Sequence, residues 1–207
     1  MENESALRST IKDYSKVSEI IQTVLIYLTA LLVPLFLGQV LKSIFTANNV
    51  IVSNSQYIIG SIVNTALVVS ALNLKGRIKN FGVITMPSIA TILGGYVFGT
   101  SSTLLVWMIP AIWIGNFAYV YAFKKIKVCM KKNYFLAGIV GIAVKVAVIF
   151  GVFSLLNLYG IFPAKMVSNL QMAMGLTQLV TATIGILIGF AIYKIETRKR
   201  VEDKTEA

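Results

Sequence analysis

Between Glu19 and Glu196 the chain has neither Asp nor Glu, and nowhere does it have a histidine. That double absence removes the groups from which intramembrane proton relays and most metal sites are built. The acid-rich metal motif of membrane phosphotransferases and the glycine-rich nucleotide loop are missing as well. A general acid–base pair cannot be assembled from one buried lysine and some amides, so an enzyme is not expected. The single cysteine, Cys129, forbids an intrachain disulfide. No metal or cofactor is implied.

What is present is apolar. Of 207 residues 57% are hydrophobic and only 13% charged, more apolar surface than a soluble domain of this length can hide. Six stretches reach or approach the roughly 20 residues that cross a bilayer as a helix. They are about Ile20–Ile44, Tyr57–Leu74, Phe81–Gly99, Thr103–Phe123, Tyr134–Leu156 and Leu170–Tyr193, and Pro87, Gly94, Gly95 and Gly99 interrupt the third. The expected fold is therefore all-α, a bundle of six transmembrane helices over 20–193. A cytoplasmic segment (1–19) precedes it, an amphipathic helix or a solvated terminus, and a charged cytoplasmic tail (194–207) follows. The first span is too long for a signal-peptide core of about 7–15 residues and reads as retained.

The net charge of +11 does not point to nucleic acid, because the basic residues fall in short segments between apolar spans. Sixteen of the 19 lie in the N-terminal segment, the second-to-third and fourth-to-fifth connections, and the tail. Lys42 and Lys165 fall on the other side. The positive-inside rule then makes both termini cytoplasmic. The connections Thr46–Gln56, Thr100–Ser102 and Asn157–Asn169 face outward.

Lys145 remains, about eleven residues from either end of its span, too deep for its stem to reach an interface. Ala137, Gly138 and Gly141 share its helix face, so it points into the bundle. It either contacts a ligand, or caps carbonyls of a broken neighbouring helix, or is held neutral by burial. Buried amides also demand partners. Gln56, Gly60 and Asn64 share a face of the second span; Asn116 lies in the fourth; Gln178 and Thr181 lie one turn apart in the sixth. They serve either as interhelical glue or as the polar groups of an apolar pocket. Trp113 walls that pocket, or packs, or faces lipid. Gln39 is interfacial. Depth places a pocket in the outer half, open outward.

The segments Gln56-Tyr-Ile-Ile-Gly60-Ser-Ile-Val-Asn64, Pro110-Ala-Ile-Trp-Ile-Gly115-Asn116 and Gln178-Leu-Val-Thr181-Ala182, with a mid-span lysine, resemble the substrate-binding S components of energy-coupling factor transporters. The likeness extends to related small membrane proteins labelled "iron hydrogenase", and runs from about Gln56 to Ile192. It implies a bacterial plasma-membrane protein of six helices that binds a vitamin or a metal ion near the outer face. It also implies a separate transmembrane coupling subunit and two cytoplasmic ATPases as partners. That family docks through alanines four apart on the first helix; Ala30, Pro34 and Gly38 occupy the matching positions here. Its metal-binding members use N-terminal histidines, which this chain lacks, so the expected substrate is a small anionic or carbonyl-rich organic molecule. The alternatives are a scaffold or assembly subunit without a ligand and a facilitator that works alone.

Overall fold

The computed structural model describes residues 16–45, 54–75, 77–94 and 106–205, and every regular element among them is a helix. α1 (Lys16–Leu32) passes through a π-helical segment, Val33–Leu37, into α2 (Gly38–Ile44). α3 (Ser55–Asn73) and α4 (Arg77–Gly94) follow. α5 (Ile109–Lys124) runs into a second π-helical segment, Lys125–Cys129, before α6 (Tyr134–Leu158), α7 (Ala164–Met174) and α8 (Leu176–Thr205). Five stretches are long and apolar enough to cross a membrane: Glu19–Leu41, Ser55–Asn73, Val106–Cys129, Tyr134–Leu158 and Ala164–Arg198. Their outward faces carry exposed apolar side chains such as Leu25, Leu28, Ile139, Leu155 and Leu187. Such surface suits lipid and not water. The chain is an all-helical, multi-pass membrane protein.

α4, the third expected span, is not among those five segments; it opens on Arg77, Lys79 and Asn80 and carries Thr85, Ser88 and Thr91. The end of that span, like most of the N-terminal segment and the connections at 46–53 and 95–105, lies outside the described residues. The expected sixth span lies within the apolar stretch Ala164–Arg198. Leu170–Tyr193 is not one helix, because the chain turns at Gly175 (φ −104°, ψ −92°) and divides it into α7 and α8. The outer connection around Asn157–Asn169 is correspondingly partly helical. α8 continues to Thr205, through most of the expected charged tail.

The ends of α6 show the local logic well. Asn133 accepts from the amides of Phe135 and Leu136 at 2.8 and 3.4 Å, filling the N-cap. At the other end Gly160 has φ +70°, and the bonds Gly160 N–H to Asn157 O and Ile161 N–H to Leu156 O close a Schellman motif. Only glycine holds that dihedral without a steric cost.

α3 is the central helix. It packs most extensively on α8 and also touches α1, α4 and α5, while α5 pairs closely with α6. Its buried face carries small hydroxyl residues whose donors return to the helix itself: Ser61 to Tyr57 O at 2.6 Å and Thr65 to Ser61 O at 2.8 Å. A polar face thereby packs without orphaned hydroxyls. Gly185 of α8 lets the two backbones approach, since a Cβ there would lie 2.6 Å from Asn64 Cβ and 2.9 Å from Thr65 N.

The basic end of the bundle is fastened by the two acids that bound the acid-free stretch. Glu19 pairs with Lys79, and Glu196 Oε1 accepts from Asn73 Nδ2 at 3.1 Å. Beside them Lys124 Nζ donates to Leu74 O at 2.6 Å, satisfying a carbonyl at the end of α3. Above and below mid-bundle lie two apolar clusters. One holds Leu67, Tyr119, Phe123, Tyr134 and Ile186. The other, under α7, holds Met108, Ile149, Phe153, Leu170 and Met174.

Candidate functional site

Along α5, α6 and the α7–α8 pair, the polar residues fall between the two clusters. Asn116 separates Ala111 from Tyr119, Lys145 separates Ile142 from Ile149, and Thr177 and Thr181 separate Met174 from Ile186. They surround one cavity of about 90 Å³. Gln56, Asn64, Asn116, Lys145, Gln178 and Thr181 all line it, so residues from four helices meet as the sequence led us to expect. Trp113 does not. It packs edge-on to Phe81 at 6.3 Å between centroids and is not among the residues that line the cavity.

Lys145 is 2% exposed. Its Nζ donates to Asn64 Oδ1 at 2.6 Å and stands 5.5 Å from the centre of the Tyr119 ring. The ammonium is therefore held by an amide oxygen and a ring face, and among the described residues it caps no backbone carbonyl. An ammonium has three donors, so two are not used by Asn64. Its small-residue face is as read from the sequence: Gly141 admits Tyr119 and Gly138 admits Ile186, each closer than a Cβ would allow.

From Asn64 the network continues into α8. Asn64 Nδ2 donates to Gly60 O at 2.8 Å and to Thr181 Oγ1 at 3.1 Å, and Thr181 Oγ1 donates to Thr177 O at 2.7 Å. Asn64 thus turns its oxygen to the cation and its nitrogen to a hydroxyl, which fixes its orientation. Gln178 reaches back across the Gly175 turn, donating from Nε2 to Ala173 O at 3.3 Å, and so bridges the end of α7 to the start of α8.

Several lining atoms have no partner among the described residues: Ser88 Oγ, Thr177 Oγ1 and Asn116 Oδ1, all on buried residues. Asn116 Nδ2 makes only a long contact, 3.5 Å, to Ile84 O in the turn before Pro87. Buried polar atoms left open around a cavity mark where water or a ligand's polar groups belong.

Three interruptions of regular helix converge on the same cavity. Pro34 sits in the π-helical segment of the first span, Pro87 lies inside α4, and Gly175 separates α7 from α8 next to lining residues Thr177 and Gln178. Proline removes an amide donor and loosens the turn before it, and short π segments concentrate at functional sites. The stripe Ala30, Pro34 and Gly38 is buried within this chain, with Ala30 in the core and Pro34 on the cavity wall. It faces the chain's own helices and offers no outward surface. Sequence reasoning missed Ser88, Thr91 and Thr177. The usable signals were Ser88 and Thr91 one turn apart beside Pro87, and Thr177 one turn before Thr181.

Fold and cavity together define a helical membrane protein with a lysine-lined cavity between its two apolar clusters, and no acid lines that cavity among the described residues. No protein-family model, curated protein or solved structure matches the chain.

Proposed function

We propose that the chain is the membrane-embedded substrate-binding subunit of an uptake transporter, binding a small anionic or carbonyl-rich organic molecule at the Lys145 cavity. The observation that carries this is the convergence of one uncompensated lysine and several open polar atoms from four helices on a single chamber. A buried charge without a counter-charge costs several kcal/mol, which a bound anion offsets. Lys145 neutralises the ligand; Gln56, Asn64, Asn116, Gln178 and Thr181 orient it. Vitamin-sized molecules need pockets of about 300–1,000 Å³, so they enter only if the helices around the cavity move apart.

With no nucleotide-binding motif in its sequence, the chain takes its power from partners, namely a transmembrane coupling subunit and two cytoplasmic ATPases in a bacterial plasma membrane. The bundle has six membrane helices, α4 included, with both termini cytoplasmic. Cys129 tests that topology directly. A membrane-impermeant maleimide is expected to label it in inside-out vesicles and to leave it unlabelled in intact cells; the reverse pattern inverts the topology.

The function is tested by equilibrium binding of the purified full chain to acetate, propionate, lactate, pyruvate and nicotinate. Saturable, one-to-one binding of at least one of these is expected. If none binds, and no organic anion is found on the protein by native mass spectrometry, the amides are interhelical glue and the protein is a scaffold or assembly subunit.

A further inference from the structure

Backbone and rings place two lysines at the basic end of the bundle. The connection from α5 to α6 is an ordered turn: Met130 N–H donates to Lys125 O at 2.9 Å, Lys132 N–H donates to Ile126 O at 3.0 Å, and Asn133 caps α6. Lys127, in the π-helical segment of that connection, reaches α8, where its Nζ stands 5.0 Å from the centre of the Tyr193 ring. One residue further along α8, Lys194 Nζ stands 5.6 Å from the centre of the Phe190 ring. Tyr193 and Phe190 both pack on Tyr134, at 5.6 and 5.2 Å between centroids, and Phe190 also meets Phe135 at 4.8 Å. Two ammoniums therefore sit on one aromatic shelf shared by α6 and α8. Ring faces hold cations without neutralising them. The chain has no acid from 20 to 195, and Glu196 Oε1 is engaged by Asn73 on α3. Away from this end the same two helices turn apolar side chains outward. Phe135 and Ile139 lie one turn apart on α6, while Leu187, Phe190 and Lys194 share a face of α8 at i, i+3 and i+7. Phe135, Ile139 and Leu187 are exposed, and the contact of Phe135 with Phe190 joins the two faces.

We infer that this face is a binding site for an anionic phospholipid, whose phosphate lies at Lys127 and Lys194 and whose acyl chains lie along Phe135, Ile139 and Leu187. The site is separate from the Lys145 cavity and does not depend on what that cavity binds. Basic residues beside membrane helices attract anionic headgroups, because each ammonium meets a surface of opposite charge. The order of the groups decides which partner fits. Ammonium, aromatic ring and aliphatic side chain follow one another from the basic end toward the middle of the bundle. A phospholipid presents phosphate, glycerol and alkyl chain in the same order, and aromatic rings favour the level between head and chain. An acidic protein docking from water would meet the lysines and leave the apolar face uncovered. The ordered turn adds to the fit, since a lysine already held against a ring loses less freedom when the anion arrives.

The experiment follows native mass spectrometry and thermal unfolding of the purified full chain in a neutral detergent. The probes are dioleoylphosphatidylglycerol, dioleoylphosphatidylcholine and glycerol 3-phosphate. The phosphatidylglycerol is expected to form a one-to-one adduct and to raise the melting temperature, while the other two do neither. The double variant Lys127→Gln/Lys194→Gln should weaken that adduct about 30-fold, the effect of two lysines near a charged surface. Lys127→Arg/Lys194→Arg should keep it, and so should Lys165→Gln, which removes an exposed lysine of α7. Undiminished phosphatidylglycerol in a folded Lys127→Gln/Lys194→Gln protein overturns the site, as does equal uptake of phosphatidylcholine by the wild type. Glycerol 3-phosphate binding as tightly as the lipid overturns it too, leaving an aqueous phosphate site. If the glutamine pair does not fold, competition between the two lipids on the wild type decides, and no preference for phosphatidylglycerol overturns the inference. A face that takes up no anionic lipid is left to an acidic protein surface, and the inference falls.

Discussion

Replacing Lys145 with Met is expected to lower carboxylate affinity on the order of 100-fold, equivalent to about 3 kcal/mol, while the protein remains folded. Both halves of that expectation come from the surroundings of Nζ. The ammonium is 2% exposed and has no acid to neutralise it anywhere between residues 20 and 195, so its removal relieves a desolvation cost. Against this, Asn64 Oδ1 loses its 2.6 Å donor, an unsatisfied acceptor worth about 1–3 kcal/mol. The two effects oppose each other, and the melting temperature without ligand should move little. Binding has no such compensation, because among the described residues that line the cavity Lys145 alone carries a full charge. Asn64→Asp supplies the complementary test. It converts the amide contact into an internal ion pair, so it should keep the fold and also abolish binding. Isothermal titration with propionate on both variants separates the outcomes. Full affinity in a folded Lys145→Met protein would show that the lysine serves Asn64 alone and does not meet the ligand.

A second large effect is expected far from any charge. Gly185→Val should destabilise the protein by about 3 kcal/mol or more, at the upper end of the overpacking range. Even the first added carbon would stand 2.6 Å from Asn64 Cβ and 2.9 Å from both Asn64 C and Thr65 N. Those are mainly backbone atoms and cannot rotate aside, so α3 and α8 must separate along their most extensive contact. In lipid no hydrophobic force draws the helices back together, and close packing carries the association. Separation also breaks the 3.1 Å bond from Asn64 to Thr181, loosening the support of Lys145. Gly151 is the comparison, since a Cβ there meets nothing within 4 Å. Gly151→Val should stay within about 0.5 kcal/mol of the parent. Thermal unfolding in one detergent checks both, and equal stabilities would mean that the α3–α8 approach is not tight in solution.

These two positions also divide what was legible in the chain from what was not. Hydropathy marked the five membrane-crossing segments, because a bilayer imposes a length and a polarity that any sequence must meet locally. Helical spacing put Ala137, Gly138 and Gly141 on the face of Lys145, and these small residues do receive Tyr119 and Ile186. Depth and residue type sufficed to collect Gln56, Asn64, Asn116, Lys145, Gln178 and Thr181, which line one cavity. An isolated polar residue in an apolar span has few places to go, which is why so sparse a signal was informative.

Rotation about helix axes and breaks within helices were decided elsewhere. Trp113 and Asn116 are three residues apart on α5, yet only Asn116 reaches the cavity, since the packing of α5 on α6 sets which side turns inward. Ala30, Pro34 and Gly38 matched a docking stripe by spacing alone, and only the packing of the first span, 16–44, on α3 and α4 shows them buried. Gly175 looks like any glycine in an apolar run, and the turn there shows only in the folded chain, where Leu170, Ala173 and Met174 of α7 pack with Phe153 and Met108. By itself the sequence determined that an unneutralised cation lies deep in a helical membrane protein, because composition and spacing along one chain express that directly. The tertiary structure alone decided that Asn64 holds it and that Thr177 and Gln178 at the start of α8 line the same cavity, because those relations join residues far apart in the chain through helix packing.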